Sequence, residues 1–517
     1  MGKEHLQSVL SGTLNEIIPS FWNILITAFV ILMFIPILQI FVFAVYNLYF
    51  HPLRKYPGPF LWIAFPWLKS LSLIRGKADH AVVAFHEQFG PVVRTAPNIL
   101  SFTSLTAWRD IYGTGHAELP KHIFKGSGME ERPNIITANA RDHHRFRRAL
   151  LPAFSNDALA RQEPLLNSYV EQLINQLRRI AKSDNSAADI SKWYTMTTFD
   201  IFGELAYGES FNGLATGKVH PWIRALSNMK YLVPLLVFPS ISWILILLLT
   251  TAEQRGSLAE HQQRSMELTY KRIKNKEIQE RGDIMTFVLR EHGEDHGLTD
   301  YEMACNADII ISAGSETTGT AMTGITYYML RNPEKMARCV DEIRSTFETE
   351  ESINFKETTT KLPYLTACIE EGLRLFPPVP TGLLRETLPG RPTLIDGHLI
   401  PEKTVVAVHH LATYHSESNF YDAKSFLPER WLPEIHSEPT SLFYNDNRSC
   451  LKPFSYGPRN CIGRNLAYHE IRLILSKVLW NFDLTLKPGF EDWAIGQRSY
   501  QLWEKPSLMV DVKIRTA

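Results

Sequence analysis

The sequence predicts a mainly α-helical domain with small β-sheets, preceded by an N-terminal transmembrane helix. Three observations carry that reading. Helical spacing of apolar residues dominates after residue 140. Short strand-like runs occur at Val92–Arg94, Ile99–Phe102 and Thr404–Val408. A long apolar run, Phe21–Phe50, stands ahead of both.

That run reads FWNILITAFVILMFIPILQIFVFAVYNLYF. It is long enough to cross a hydrocarbon core of about 30 Å despite Asn23, Pro36 and Gln39. It is too long for the apolar core of a cleaved signal and lacks a small-residue cleavage site. Residues 1–20 then form a lumenal segment and 21–50 the anchor. Residues 51–60, with Tyr56-Pro-Gly-Pro59, form a stiff hinge, and 61–517 form the catalytic domain. The flank Arg54-Lys55 places that domain in the cytosol. A second apolar stretch, Tyr231–Leu249, is interrupted by Pro234 and Pro239 and is read as shallow membrane contact.

One helix is predicted in detail. Thr299-Asp-Tyr-Glu302 has capping-box spacing, helix-compatible residues run to about Leu330, and Arg331-Asn-Pro333 stops them. At 1.5 Å rise per residue the helix is roughly 45 Å long, enough to cross the domain. Its middle, Ala313-Gly-Ser-Glu-Thr-Thr-Gly319, is rich in small and hydroxyl residues, which predicts a local widening.

Composition narrows the chemistry. With 517 residues and no low-complexity linker, one large domain with subregions is expected. Lys+Arg and Asp+Glu both total 54, so there is no global field for nucleic acid. The five cysteines, Cys305, Cys339, Cys368, Cys450 and Cys461, show no C-x-x-C spacing. Neither a disulfide framework nor a zinc cluster is suggested, and a reducing compartment fits. C-x-x-C-H and a Gly-rich dinucleotide fingerprint are both missing from the sequence. Any redox cofactor would therefore be held non-covalently, with electrons arriving from elsewhere.

Cys461 lies in FSYGPRNCIGRNLA, Phe454–Ala467, just before a helical pattern. A helix N-terminus beyond it favours a thiolate. Gly463 lets backbone approach a flat cofactor, and Gly457 supplies a bend that a side chain would obstruct. Arg459 offers a cation suited to a carboxylate on the same cofactor. These parts fit an axial thiolate beneath a haem.

The pattern Phe454-x-x-Gly457-x-Arg459-x-Cys461-x-Gly463 resembles the haem-binding loop of the cytochrome P-450 superfamily. Glu371-Gly-Leu-Arg374 looks like its E-x-x-R helix, Phe426–Trp431 (FLPERW) like its P-E-R motif, and Ala313–Thr318 (AGSETT) like its oxygen-activation segment. HPLRKYPGP after the anchor, Ser191–Phe211 and His409–Trp431 look like microsomal members from filamentous fungi, many of which serve secondary metabolism.

The resemblance implies a triangular helical prism, the cytochrome P-450 fold, holding haem b with Cys461 as the axial iron ligand. It implies a monooxygenase that uses O2 and takes electrons from NADPH through a separate NADPH–cytochrome reductase, with cytochrome b5 as an optional second donor. Its substrate would be a lipophilic small molecule, hydroxylated or epoxidised. The location implied is the endoplasmic reticulum membrane, single-pass, domain facing the cytosol. Glu316 and Thr317 map to the acid and alcohol that relay protons. Arg459 and Arg147 map to contacts with the haem propionates. His143 stands where the family's W-x-x-x-R helix has tryptophan, and Arg385 where many members have a basic residue. Phe454 and Gly463 belong to the cofactor loop, and Glu371, Arg374 and Arg430 to a buried charge network. The other basic residues of Arg141–Arg148, with Lys452 and Arg464, would form a patch for an acidic electron donor. Ile111–Ile136, Val379–Leu384 and Ile495–Leu502 would shape the pocket. Tyr414-His415-Ser416 replaces an H-R-D-like turn and receives no role. Two other readings stand: a haem-thiolate enzyme catalysing rearrangement, dehydration or oxidative coupling, and a non-catalytic membrane-anchored haem-binding protein.

Overall fold

A computed structural model describes residues 34–122, 132–184, 186–223, 246–248, 250–275, 282–290 and 297–516. Residues 34–45 are helical and end in a single π turn, Tyr46–Phe50. Their apolar side chains, including Phe41, Phe43, Tyr49 and Phe50, are largely exposed. Among the described residues no helix is long and apolar enough to cross a membrane. The expected span begins at residue 21, outside them, and of Tyr231–Leu249 only 246–248 are described. The π turn itself is tied down by Arg94, which is 1 % exposed and donates from Nη1 to the Asn47 carbonyl at 2.9 Å.

Eleven short strands form the sheets among the described residues. These are β1 Val92–Ala96, β2 Ile99–Phe102, β3 Ala187–Asp189, β4 Arg385–Glu386, β5 Thr393–Ile395, β6 His398–Ile400, β7 Val405–Val408, β8 Phe482–Leu486, β9 Ser499–Tyr500, β10 Leu502–Trp503 and β11 Met509–Ile514. The largest sheet has the order β1-β2-β7-β4. Its central pair, β2 and β7, is parallel, with Leu100 opposite Val406. That pairing joins the start of the domain to a segment far along the chain, and Val405–Val408, rich in β-branched valine, is buried throughout. A second sheet runs β3-β11-β8, antiparallel throughout. β5–β6 and β9–β10 are hairpins.

The site is positioned by helices α1 Ala78–Phe89, α2 Leu105–Tyr112, α3 Ala140–Leu150, α4 Asn156–Ala181, α5 Ile190–Tyr207, α6 Ala252–Lys274, α7 Asp300–Arg331, α8 Pro333–Thr346, α9 Pro363–Leu375 and α10 Arg464–Asn481. The mainly helical content with small sheets matches the sequence reading. α7 starts at the capping box: Thr299 Oγ1 accepts from the Glu302 N–H at 3.3 Å, and Thr299 N–H donates to Glu302 Oε2 at 3.0 Å. It ends at Arg331, ahead of Pro333.

The expected widening of α7 does not occur, and the helix is α from end to end. Ser312, Ser315, Thr317, Thr320 and Thr323 each donate a hydroxyl to the carbonyl one turn back, so they bond as third partners without opening the ladder. The small residues serve packing instead. A Cβ at Gly314 would lie 2.2 Å from the Phe202 ring of α5, so only glycine allows the two helices to approach this closely. α5 is buried nearly all round, and its apolar side chains join those of α4, α7, α9 and α10 in one continuous core.

Glu371, Arg374 and Arg430 have fully buried side chains and meet in one network. Arg374 forks onto Glu371 at 2.8 and 2.9 Å, and Arg430 Nε reaches Glu371 Oε1 at 3.1 Å. Trp431 Nε1 and the Leu427 N–H complete the carboxylate's shell. Asp446 pairs with the far side of Arg430. Arg374 also donates to the carbonyls of Tyr414, Ala423 and Ser425, which gives Tyr414-His415-Ser416 a physical role: its first carbonyl accepts from the network, and His415 Nε2 lies 3.0 Å from the Leu375 carbonyl. A fork of this kind satisfies every charge, which an interior requires.

Candidate functional site

The loop before α10 is folded back on itself. Cys461 N–H donates to the Phe454 carbonyl at 2.8 Å and Asn460 N–H to Gly457 at 3.0 Å. Gly457 has φ +76°, and a Cβ there would lie 1.7 Å from the Tyr112 carbonyl oxygen at the end of α2. Only glycine fits. Gly463 is different: its φ is −83°, and an added Cβ would touch only Phe154 at 3.7 Å and Cys461 Sγ at 3.9 Å. The space over the sulfur is therefore kept clear of side chain. The Phe454 ring packs on Tyr468 of α10 with centroids 5.0 Å apart. From α3, Arg147 donates twice to Asn460, the residue before the cysteine.

Cys305, Cys339, Cys368 and Cys450 are buried, whereas Cys461 is exposed. Its thiol pKa is nonetheless pushed up by burial, which outweighs the Gly463 N–H and the charges of Arg147 and Arg464. The Gly463 N–H at the helix end acts in the expected direction, favouring a thiolate against that desolvation.

A group of basic residues, buried or partly buried, stands beside the loop. His143 of α3 is depressed to about 3, first by burial and then by Arg459, Lys121, Arg147 and Arg385. Lys121 is lowered to about 7 by burial and by Arg385 and Arg459, with Glu118 acting against them. Arg385 leads β4, pairs by a backbone bridge with Lys121, and sits over the Tyr112 ring at 5.6 Å. Arg459 bonds Glu118 and donates to the Ala138 carbonyl at 2.8 Å. Burying this much positive charge beside one offsetting carboxylate is costly unless an anion shares the site. An exposed thiol, an uncovered Gly463 and this charge fit a flat cofactor bearing carboxylates. Lys121 escaped the sequence reading because nothing in its local pattern marks it; the fold delivers it by pairing its backbone with Arg385.

Across α7, Ala313 is exposed although it lies mid-helix, and Thr317 Oγ1 donates to its carbonyl at 2.6 Å. Glu316 is in an ion pair with Lys505 at 3.3 Å, a partner equally silent in the sequence. Other expectations divide. Ile111 is 2 % exposed and packs in an apolar cluster with Trp108 and Val406, while Ile136 and Ile495 are exposed. Arg145, expected in the basic patch, is committed to Glu302 and the Gly297 carbonyl. Arg141, Arg148 and Arg464 remain exposed.

The model of the family described as Cytochrome P450 matches residues 56–510. The chain belongs to the cytochrome P450 family. It is 59 % identical over 494 residues to "Cytochrome P450 monooxygenase dtxS2" of Metarhizium robertsii, covering 96 % of each chain. It is 43 % identical over 479 residues to "Trichothecene C-4 hydroxylase" of Trichoderma arundinaceum, covering 92 % of this chain and 94 % of the relative. It is 40 % identical over 477 residues to "Cytochrome P450 monooxygenase olcB" of Penicillium canescens, covering 92 % and 96 %. A cytochrome P450 is a haem-thiolate monooxygenase that uses O2 with NADPH electrons from a reductase, and this chain is one.

Proposed function

We propose that this cytochrome P450 hydroxylates or epoxidises a lipophilic small molecule in fungal secondary metabolism, with Cys461 as the haem-iron ligand. The observation that carries the proposal is the exposed Cys461 thiol in a loop beside buried His143 and Arg385 and partly buried Lys121. A relative's printed name, trichothecene C-4 hydroxylase, supports the choice of hydroxylation.

Haem held there would supply redox-active iron for oxygen chemistry. Arg147 fixes the Cys461 loop through Asn460, and Lys121, Arg385, Arg459 and Arg147 would face the cofactor's carboxylates. Glu316 and Thr317 would hold and pass the protons consumed when the O–O bond breaks. Arg141, Arg148, Lys452 and Arg464 would dock the acidic surface of NADPH–cytochrome reductase.

We further propose that residues 21–50 anchor the protein in the endoplasmic reticulum membrane, with 1–20 lumenal, 51–60 a hinge and the domain from 61 onward in the cytosol. Exposed Phe60, Leu61 and Trp67, continuing the exposed apolar face of 34–50, support a bilayer alongside.

The test is the reduced carbon-monoxide spectrum of the full chain, followed by product formation from a compound library with reductase and NADPH. A red-shifted band that is lost in Cys461→Ser is expected; its persistence in the variant would remove Cys461 as ligand.

A further inference from the structure

Lys505 lies in the segment between β10 and β11, where it holds a left-handed backbone with φ +52°. Lysine seldom adopts that conformation. That side chain is 6 % exposed. Its ammonium donates to Thr195 Oγ1 of α5 at 2.9 Å and to Thr320 Oγ1 of α7 at 3.3 Å, and it forms an ion pair with Glu316 Oε1 of α7 at 3.3 Å. Both hydroxyls spend their own protons on carbonyls, Thr195 on Ser191 and Thr320 on Glu316, and so can only accept from Lys505. The ammonium is therefore held by hydroxyls from two elements, α5 and α7, and it pairs with a single oxygen of Glu316.

We propose that Lys505 is the positioning residue for Glu316, fixing one carboxylate oxygen and leaving the other to exchange protons with water beside Thr317. The role rests on the oxygen-activation reading of Glu316 and adds a residue from outside the motif. Without the lysine, a half-buried carboxylate loses its counter-charge, and its rotamer is no longer fixed next to Thr317.

The test uses the full haem-loaded chain with reductase and NADPH. It measures the share of electrons leaving as hydrogen peroxide, in which two electrons and two protons depart with O2. The infrared C–O stretch of the reduced carbon-monoxide complex is read in parallel. Lys505→Met is expected to raise the peroxide share on the order of threefold to tenfold, less than removing a general acid outright, and to shift the C–O stretch. Lys505→Arg should restore both. Unchanged peroxide share and stretch in Lys505→Met would overturn the role. Should that variant fail to hold haem, Lys505→Gln is made in a Glu316→Gln background, where no charge is left unpaired. A peroxide share equal to that of Glu316→Gln alone supports the proposal, and a further rise overturns it. Wild-type protein that takes up no oxygen with NADPH would instead overturn the underlying reading of the site.

Discussion

Arg147 grips Asn460 with both arms of its guanidinium, Nη1 to the carbonyl at 2.7 Å and Nη2 to Oδ1 at 2.6 Å. The fork spans from α3 to the residue preceding the only exposed cysteine. Lysine cannot reproduce it. Arg147→Lys is expected to lose roughly 1–3 kcal/mol of loop anchorage. Haem retention after gel filtration should fall while the far-ultraviolet dichroism stays as in the wild type.

The two loop glycines should behave differently. Gly457→Ala meets both a positive φ and the Tyr112 carbonyl, so it is expected to cost more than the roughly 1–2 kcal/mol of left-handed backbone alone. Gly463→Ala meets only ordinary contacts and should fold with an unchanged haem-free melting temperature. Its effect should appear in the haem spectrum.

The Glu371 network predicts acid lability. Burial alone would raise Glu371, but Arg374 and Arg430 hold it below the usual carboxylate range. The unfolded chain thus binds more protons near pH 4, so the stabilisation is full above the ordinary carboxylate pKa of about 4.3 and is lost as pH falls through the depressed value. Arg430→Met should cost about 3–5 kcal/mol at neutral pH, by leaving Glu371 and Asp446 short of a cation. Its acid decline in a denaturant-melt series should also be shallower than the wild type's.

Glu470 of α10 predicts the opposite slope. It is completely buried, neither carboxyl oxygen has a well-formed hydrogen bond, and burial pushes its pKa up to about 8, slightly offset by the Thr318 hydroxyl. The folded chain keeps this proton where the unfolded chain has lost it, so stability falls as pH rises from the unfolded value toward 8. Glu470→Gln should gain on the wild type across that window, by roughly 1–3 kcal/mol at neutral pH. Melting temperatures of both proteins from pH 5 to 8 check it, and parallel curves would contradict it.

Thr317 spends its hydroxyl proton on the Ala313 carbonyl, which turns its lone pairs to the exposed side of α7. Thr317→Ala should divert NADPH electrons into peroxide and slow product formation by up to about 10²-fold, while Thr317→Ser retains coupling. Peroxide and product are measured together in one reaction.

Much of this was legible from local pattern. The Thr299 capping box marked the start of α7, the strand runs fell within a residue or two of β1, β2 and β7, and the resemblance to the family's E-x-x-R and P-E-R motifs implied the network of Glu371, Arg374 and Arg430. What escaped was set by distant partners. Lys121 matters because its backbone meets Arg385, Asn460 because Arg147 reaches it, Lys505 because α5 and α7 offer acceptors, and Gly314 because Phe202 lies against it. A hydroxyl-rich stretch likewise reads as a widened helix until the back-bonds to preceding carbonyls are seen.

The order of strands in the smaller sheet bears on how the protein is made. β11 is its middle strand, flanked by β3 and β8, so neither neighbour has a ladder partner until the ribosome has passed α10 and gone on to Met509. Chains terminated just short of that point would carry two bare strand edges together, and such edges recruit one another between molecules. Nonsense products of this length should therefore collect as insoluble aggregates rather than as partly active enzyme.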